Sequence, residues 1–404
     1  MNLEVVYTAA HAHFPDTEPL GGGKAVADYL IRHHPDWSVL SPQSVGLSVA
    51  QPLTEMSEFA YARFCRQFER ATTNESLKRD PQRCVVLCND ISEGPNFSVL
   101  DERGYAVVTI FHVDVVEFFC KMYLKDFVPS HWLSKLRLFS AMPDVLRLVF
   151  EKQHDCVRHS ARIVVPSEPM WASILRCYPW CDPQKIVVLP WGNIAEHDAI
   201  LPGDAPYSIA DDEFVIMTLS RLSPEKGIER LLAALPHVET HGRKLRVFIC
   251  GAPAFMKGRR YERRLRRMAS RVTNVCVEFT GHVTGRQKTA LLRRADLFVS
   301  PSRHESYGLT IAEAQAAGCR IISHSHYGAA GTVVDCARPR KLAQAISSAA
   351  SCGPTVKTHA EECTCDKAQE TSRKLAELLL DVAKGRWNHH QAGSVAPFAA
   401  PEKH

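Results

Sequence analysis

Two carboxylates with a fixed spacing are the clearest chemical feature of the sequence. Glu305 and Glu313 lie eight positions apart on either side of Gly308, in RHESYGLTIAEAQAAG. Glu305 falls in a predicted loop, and Glu313 falls in a helical pattern that Gly318 ends. Carboxylates accept pairs of hydrogen bonds from vicinal hydroxyls, so the pair indicates a ligand with sugar rings. The alternative is that Glu313 is only a favourable charge near a helix N-terminus.

Two cations follow another predicted strand. Arg221 and Lys226 lie in RLSPEKG, directly after FVIMTLS, and Gly227 precedes the helical pattern IERLLAAL. A guanidinium, an ammonium and the free N–H groups of a helix N-terminus together suit a diphosphate. The alternative is two solvated charges on a loop, which usually contribute little.

A third candidate site precedes the first helical pattern. Gly21, Gly22 and Gly23 allow the backbone to approach a ligand closely ahead of a helix N-terminus. The same triplet also fits a flexible turn. No GxGxxG motif follows, so the sequence does not predict a dinucleotide site.

Polar residues also end two predicted strands of the first half. His112 follows AVVTIF, where it can orient a ligand hydroxyl or be an ordinary buried histidine. Asp114 would lie on the same side if the strand continued. Asn89 and Asp90 end CVVLC similarly, with less to distinguish them.

Short β-branched runs alternate with helical patterns along the chain, which is typical of parallel sheets covered by helices. The predicted fold class is α/β, with two Rossmann-like doubly wound domains facing across a cleft. Ligands of such sheets bind beyond the carboxyl ends of the strands. The predicted boundaries are an N-terminal domain at 1–193, a linker at 194–212, a C-terminal domain at 213–352, a C-terminal helix region at 353–385 and a disordered tail at 386–404. The helix itself is predicted at about 366–384 from its amphipathic pattern.

The overall composition is that of an ordinary globular protein. Of 404 residues, 45% are hydrophobic and 23% are charged, and the net charge is +5. This charge suits anionic substrates or an acidic membrane face but is too small to indicate nucleic acid. No apolar run approaches the ~20 residues of a membrane span. Glu4 stands where a signal peptide would be basic, so a cytoplasmic enzyme is expected.

The fourteen cysteines are scattered through apolar runs, which predicts reduced, buried thiols. CYPWC (Cys177, Cys181) and HAEECTC (His359, Cys363, Cys365) lack the paired CxxC spacing of structural zinc sites. No metal site is therefore predicted.

Taken in order, the motifs GGGK, FH, SRLSPEKG and HESYGLTIAEAQAAG resemble those of the group 1 retaining glycosyltransferases, which have the GT-B fold. The likeness is strong over residues 214–335 and loose before residue 200. It implies transfer of a hexosyl unit from a nucleoside-diphosphate sugar to an acceptor, with retention of configuration and without a metal or other cofactor. The N-terminal domain would then bind the acceptor.

The resemblance also implies roles for the matching residues. Arg221 and Lys226 would bind the donor diphosphate, Glu305 the sugar hydroxyls, and Glu313 the ribose. Backbone groups near Gly281–Val283 would meet the base. The residues implied closest to the reaction are His112, Arg221, Lys226 and Glu305. The implied donor-binding residues are Gly22, Gly23, Arg221, Lys226, Glu305, Ser306, Tyr307, Gly308, Leu309 and Glu313.

The sequence departs from the family pattern in several places. Trp191, Gly192 and Asn193 stand where the family often has PNGVD, and Tyr307 stands where phenylalanine is commoner. The connection usual after YGAAGTVVD is missing, which predicts a slightly trimmed donor lobe.

The acceptor remains open as a sugar, a small molecule or a lipid-linked glycan. The segment from Trp132 to Phe139 mixes bulky apolar and basic residues. It fits either a peripheral contact with the inner membrane face or, as the favoured alternative, a helix packed on its own domain. The basic run at 257–271 is interpreted as a solvated face.

Other functions fit the same pattern. A nucleotide-sugar epimerase or a phosphorylase can share the architecture, because fold alone does not define function. A non-catalytic partner subunit that binds a nucleotide sugar is the alternative outside the enzymes. No nucleic-acid partner is expected.

Overall fold

The structure is a computed structural model that describes residues 3–12, 21–49, 53, 56–123, 130–132, 144–195, 207–254, 258–352 and 361–391. Most of the predicted linker, the segment from 133 to Phe139 and the tail beyond Gln391 lie outside these residues. The predictions made for them therefore remain predictions.

The N-terminal domain contains a six-stranded parallel sheet of order β2-β1-β3-β4-β5-β6. Its strands are β1 (Glu4–Thr8), β2 (Ser38–Leu40), β3 (Cys84–Cys88), β4 (Ala106–Ile110), β5 (Arg162–Val165) and β6 (Ile186–Val188). β3 and β4 are buried along their whole length, because helices cover both faces of a parallel sheet.

Helices connect these strands and cover the sheet. They are α1 (Gly22–His33), α2 (Glu58–Ser76), α3 (Phe97–Glu102), α4 (Val115–Tyr123), α5 (Asp144–His159) and α6 (Glu168–Cys177). Alternate residues of one strand enter the two cores. Leu87 of β3 packs in one core, whereas Val86 packs in the other, as the two-residue period of a strand requires.

The C-terminal domain repeats this arrangement with the strand order β12-β11-β10-β7-β8-β9. Its strands are β7 (Glu213–Leu219), β8 (Lys244–Cys250), β9 (Val275–Gly281), β10 (Leu297–Ser300), β11 (Arg320–Ser323) and β12 (Thr332–Val333). Its helices are α7 (Ile228–Ala234), α8 (Gly258–Ala269), α9 (Gly285–Arg294), α10 (Leu309–Ala316) and α11 (Pro339–Ser351). The predicted α/β class with two Rossmann-like domains is confirmed.

The last helix, α12 (Glu361–Gln391), returns to the N-terminal domain. Its residues Leu375 and Leu379 are buried in the core of that domain, and Thr371 donates to the carbonyl of Pro190 at 2.6 Å. The helix is longer than predicted at both ends, so 386–391 are helical where the sequence indicated a tail. Among the described helices, none is both long and apolar enough to cross a membrane.

The position of Asp114 differs from the one predicted from the sequence, whereas the burial of most cysteines agrees with the prediction. Asp114 does not continue β4 toward the cleft; it is buried, accepts from the Glu117 N–H at the start of α4 and contacts Gln153 and Ser173. It is a structural residue. The free cysteines described are buried except for Cys276 and Cys352.

Candidate functional site

The glycine loop before α1 packs against the C-terminal domain. Gly21 has a φ of 87°, a region that favours glycine. A Cβ at Gly21 would lie 3.4 Å from Arg221 Nη1, and one at Gly22 would lie 3.2 Å from Leu309 Cδ1. Side chains here would fill the space between the two domains. The glycine loop and Arg221, both predicted from the sequence as candidate ligand-binding groups, therefore lie next to each other.

Lys226 forms an ion pair with Glu305. Lys226 Nζ lies 2.6 Å from Glu305 Oε1, and Ser302 Oγ donates to the same oxygen at 2.8 Å. The side chains of Lys226 and Glu305 are only 13% and 15% exposed. Gly227 has a φ of 60°, and a Cβ there would lie 2.5 Å from the carbonyl oxygen of Pro301. Glycine is therefore required for the lysine loop to approach the loop that carries the glutamate.

Two opposing effects set the ionisation of Glu305. Burial alone raises the pKa of its carboxyl. The ammonium of Lys226, with smaller contributions from His326 and the Ser302 hydroxyl, outweighs burial and lowers this pKa to about 2. Glu305 is therefore a carboxylate at neutral pH, able to accept hydrogen bonds.

Glu313 forms an ion pair with a different lysine. Glu313 lies in α10, and its Oε2 is 3.0 Å from Lys288 Nζ of α9. The contact is ionic but lacks hydrogen-bond geometry, and this carboxylate oxygen is buried. Sequence reasoning missed Lys288, because its spacing from Glu313 follows from two helices meeting and not from a motif.

His112 belongs to a network at the ends of β1 and β3. The Asn89 side-chain oxygen accepts from Tyr7 Oη at 2.6 Å and from His112 Nε2 at 3.1 Å. The Asn89 amide donates to the carbonyl of Gly23 at 3.2 Å. Burial lowers the pKa of His112, with Asp90 partly offsetting it. The ring is neutral at pH 7 and donates from Nε2, so Nδ1 is left as an acceptor.

The residues that depart from the family pattern lie at the contact between the domains. Gly192 N–H donates to Tyr307 Oη at 2.8 Å, so the hydroxyl that distinguishes tyrosine from phenylalanine has a partner. Trp191 is buried and its ring lies 6.4 Å from that of His112. Among the hydrogen bonds that cross between the domains within the described residues are those of Gly192 to Tyr307, Ser167 to the carbonyl of Ser306, and Tyr327 to Glu117.

Replacing Tyr307 by phenylalanine is expected to destabilise the protein by about 1 to 2 kcal/mol. The substitution leaves the buried N–H of Gly192 without its partner. Urea unfolding of the variant measures this cost. Tyr207 is the matched control, because it packs on Phe248 and its hydroxyl makes no hydrogen bond within the described residues. Equal stability of Tyr307→Phe and Tyr207→Phe would contradict the prediction.

The residues predicted from sequence thus gather at one cleft, with the exception of Asp114. The glycine loop, His112, Arg221, Lys226 and Glu305 lie at the carboxyl ends of strands or in the loops that follow them. Glu313 lies in α10, the helix that follows the loop of Glu305. Ser306 and Gly308 lie in the loop before α10, and Leu309 begins that helix. The described residues contain no cluster of three or more histidines, cysteines and acids suited to a metal ion.

Two parallel-sheet domains with a cleft at the carboxyl ends of their strands define a protein of the GT-B architecture. Residues 204–353 match the family model for glycosyl transferases, group 1. The match covers the C-terminal domain, where the sequence resembles this family most strongly, and it confirms that resemblance.

Among curated relatives, the chain is 28% identical to the lipopolysaccharide 1,2-N-acetylglucosaminetransferase of Salmonella typhimurium, over 47% of this chain and 51% of the relative. It is 34% identical to a GDP-mannose-dependent monoacylated phosphatidylinositol monomannoside mannosyltransferase of Corynebacterium glutamicum, over 30% and 31% of the two chains. The matches thus span about half or less of these relatives. The solved structure of Anabaena HepE in complex with UDP and glucose superposes with a TM-score of 0.62 at 14% identity, covering 94% of this chain and 100% of HepE, which supports the fold.

Proposed function

We propose that the protein transfers a hexosyl unit from a nucleoside-diphosphate sugar to an acceptor, with retention of configuration. The observation that carries this proposal is the largely buried pair of Lys226 and Glu305, 2.6 Å apart, beside Arg221 and the glycine loop. It combines cations for a diphosphate with a carboxylate for sugar hydroxyls in a cleft between two domains.

Each group has a chemical task in the proposed reaction. Arg221 and Lys226 neutralise the diphosphate and stabilise the negative charge that grows on it as the glycosidic bond breaks. These fixed cations supply positive charge, so the proposed reaction needs no metal. Glu305, ionised by its environment, accepts from donor-sugar hydroxyls. Glu313 accepts from the ribose hydroxyls.

In the proposed reaction, His112 contacts the donor sugar from the N-terminal domain. Its Nε2 is engaged with Asn89, which fixes the ring and leaves Nδ1 as an acceptor for a hydroxyl. In the proposed reaction the ring positions the donor sugar, because burial lowers its pKa and makes the neutral ring a weaker base.

A thermal-shift screen of UDP, GDP and ADP sugars tests the proposal. The named relatives act on or bind ligands of more than one base, so the base is left to the experiment. A ligand at 100 times its Kd adds about 2.7 kcal/mol to the free energy of unfolding. Lys226→Ala and Glu313→Ala are expected to lose most of this stabilisation.

Lys244→Ala is the control variant, since Lys244 is exposed and lies at the amino end of β8, whereas the cleft lies at the carboxyl ends of the strands. The folded wild type failing to respond to any of the nucleotide sugars would remove the support for the donor site. A response that persists unchanged in both site variants would place the ligand elsewhere.

Lys288 offers a finer test of the ribose contact. Replacing Lys288 by methionine is expected to weaken donor binding about fivefold, or ~1 kcal/mol, because the ion pair fixes the carboxylate of Glu313. Lys288→Arg is expected to restore most of the affinity. Calorimetric titration with the stabilising nucleotide measures both, and tighter binding by the methionine variant would show that Lys288 competes with the ribose.

A further inference from the structure

Helix α8 carries an unusual concentration of arginine on one side. At 3.6 residues per turn, the arginines of α8 and the one just beyond it fall within an arc of about 160°. This arginine face is exposed and consists of Arg259, Arg260, Arg263, Arg264, Arg266, Arg267 and Arg271. The opposite side of the helix is buried through Tyr261 and Leu265, which pack in the core of the C-terminal domain.

Among the described residues, few acidic groups compensate the charge of the arginine face. Within the described residues, only Arg266 of this face forms an ion pair, with Glu262 at 2.8 Å, and it also lies over the Phe279 ring. The arginines at 259, 263 and 267 are spaced four residues apart, as are those at 260 and 264. Like charges at this spacing destabilise a helix, so the face lowers the stability of the isolated domain. A polyanionic partner would remove that repulsion.

The arginine face begins at the rim of the cleft. Gly258, the first residue of α8, is packed so closely that a Cβ there would lie 3.0 Å from Pro253 and 3.2 Å from the carbonyl oxygen of Leu222. Leu222 directly follows Arg221, one of the proposed diphosphate ligands. From this rim the helix extends about 18 Å. A surface bound along the arginine face would therefore lie beside the opening of the cleft.

We propose that the arginine face binds the protein to a bilayer that contains anionic phospholipids. Guanidinium groups bind phosphates through paired hydrogen bonds, and a row of them on one convex helix fits a flat array of headgroups. The apolar residues of α8 are turned inward, so the attachment is electrostatic, reversible and sensitive to salt.

The charge pattern favours lipid over nucleic acid. No aromatic residue lies among the arginines on the exposed side of α8, whereas single-stranded nucleic acids are bound with stacking aromatics in a groove. The net charge of the whole chain is only +5, so the positive charge is local to this face. This inference goes beyond the proposed transfer reaction and does not depend on it.

Vesicle sedimentation of the full chain tests the proposal. Wild type is mixed with vesicles of phosphatidylcholine and phosphatidylglycerol, and separately with vesicles of phosphatidylcholine alone. The test variant is Arg259→Gln/Arg263→Gln/Arg267→Gln, which keeps good helix formers on α8. The matched control neutralises three exposed arginines of the N-terminal domain, Arg103→Gln/Arg158→Gln/Arg176→Gln. Thermal unfolding verifies that both variants are folded.

Wild type and the control are expected to bind the mixed vesicles and to be released by salt, with little binding to phosphatidylcholine alone. Each neutralised arginine weakens binding about fivefold, so the α8 variant is expected to bind about 100-fold more weakly. The proposal is overturned if the α8 variant binds like wild type, if wild type does not bind the anionic vesicles, or if it binds both vesicle types equally. It is also overturned if a single-stranded oligonucleotide displaces the protein from vesicles at equal phosphate concentration.

Discussion

Replacing Lys226 by methionine is expected to slow cleavage of the donor sugar by about 100- to 1,000-fold. Methionine keeps most of the volume of the side chain but removes the charge that stabilises the departing diphosphate. Lys226 lies 2.6 Å from Glu305 in a position only 13% exposed, where solvent replaces a lost charge poorly. The rate loss is therefore larger than an exposed lysine would give.

The rate of nucleotide release from the donor, in the absence of acceptor, measures this effect without knowledge of the acceptor. Lys244→Met is the control, because Lys244 is 75% exposed and remote from the cleft. Loss of Lys226 also leaves Glu305 buried without its cation, so the double variant Lys226→Met/Glu305→Gln is included. A single variant that is folded and cleaves donor as fast as wild type would contradict the assigned role of Lys226.

The strands were the most predictable part of the fold. The β-branched runs of the sequence correspond to strands β1 to β11, because strands buried on both faces leave a continuous apolar signal. The missed strand, β12, is two residues long and exposed, so it carries no such signal. Its pairing with β11 depends on the backbone of the neighbouring strand and not on its own side chains.

The site was predictable where its residues share a short segment of chain. Glu305 and Glu313, or Arg221 and Lys226, are fixed relative to each other by one loop and its helix. Contacts between distant segments were not predictable. Asn89 joins Tyr7, Gly23 and His112 across three segments, and nothing in its local sequence indicates this.

The contact between the two domains was also not predictable from the sequence. Tyr307 and Gly192 were each recognised as departures from the family pattern, but only the structure shows that the tyrosine hydroxyl accepts from the glycine N–H. Each departure taken alone indicates no contact, whereas in the structure the two residues form one interaction. The packing of α12 on the N-terminal domain was likewise not predictable from the sequence, because an amphipathic pattern identifies a buried face without identifying its partner.

Replacing Glu305 by glutamine is expected to produce a stability difference from wild type that depends on pH. The pKa of Glu305 is about 2 in the folded protein against an ordinary value of 4.5. A carboxyl whose pKa is lowered by folding stabilises the native state fully above the unfolded pKa, and this stabilisation is lost as the pH falls toward the folded pKa. This difference in pKa corresponds to a contribution of about 3 kcal/mol to the free energy of unfolding at neutral pH. About 2 kcal/mol of that contribution is lost by pH 3.

Urea unfolding of wild type and Glu305→Gln across this pH range measures the effect. Other carboxyl groups titrate in both proteins, so their contributions cancel in the difference. Glu102→Gln is the control, because Glu102 is exposed and forms no ion pair within the described residues; it is expected to follow wild type at every pH. A difference for Glu305→Gln that stays constant between neutral pH and about pH 3 would contradict the prediction.

The same ion pair links both predictions. If the Lys226 ammonium is what keeps Glu305 ionised, Lys226→Met must raise the pKa of Glu305, since burial then acts without its opposing charge. The stability deficit of Lys226→Met should therefore also shrink as the pH falls, because a protonated Glu305 no longer needs a cation. A slow Lys226→Met variant whose deficit is independent of pH would separate the effect on the diphosphate from the effect on Glu305. The lysine would then act on the donor directly, with the carboxylate fixed by Ser302 and its other neighbours.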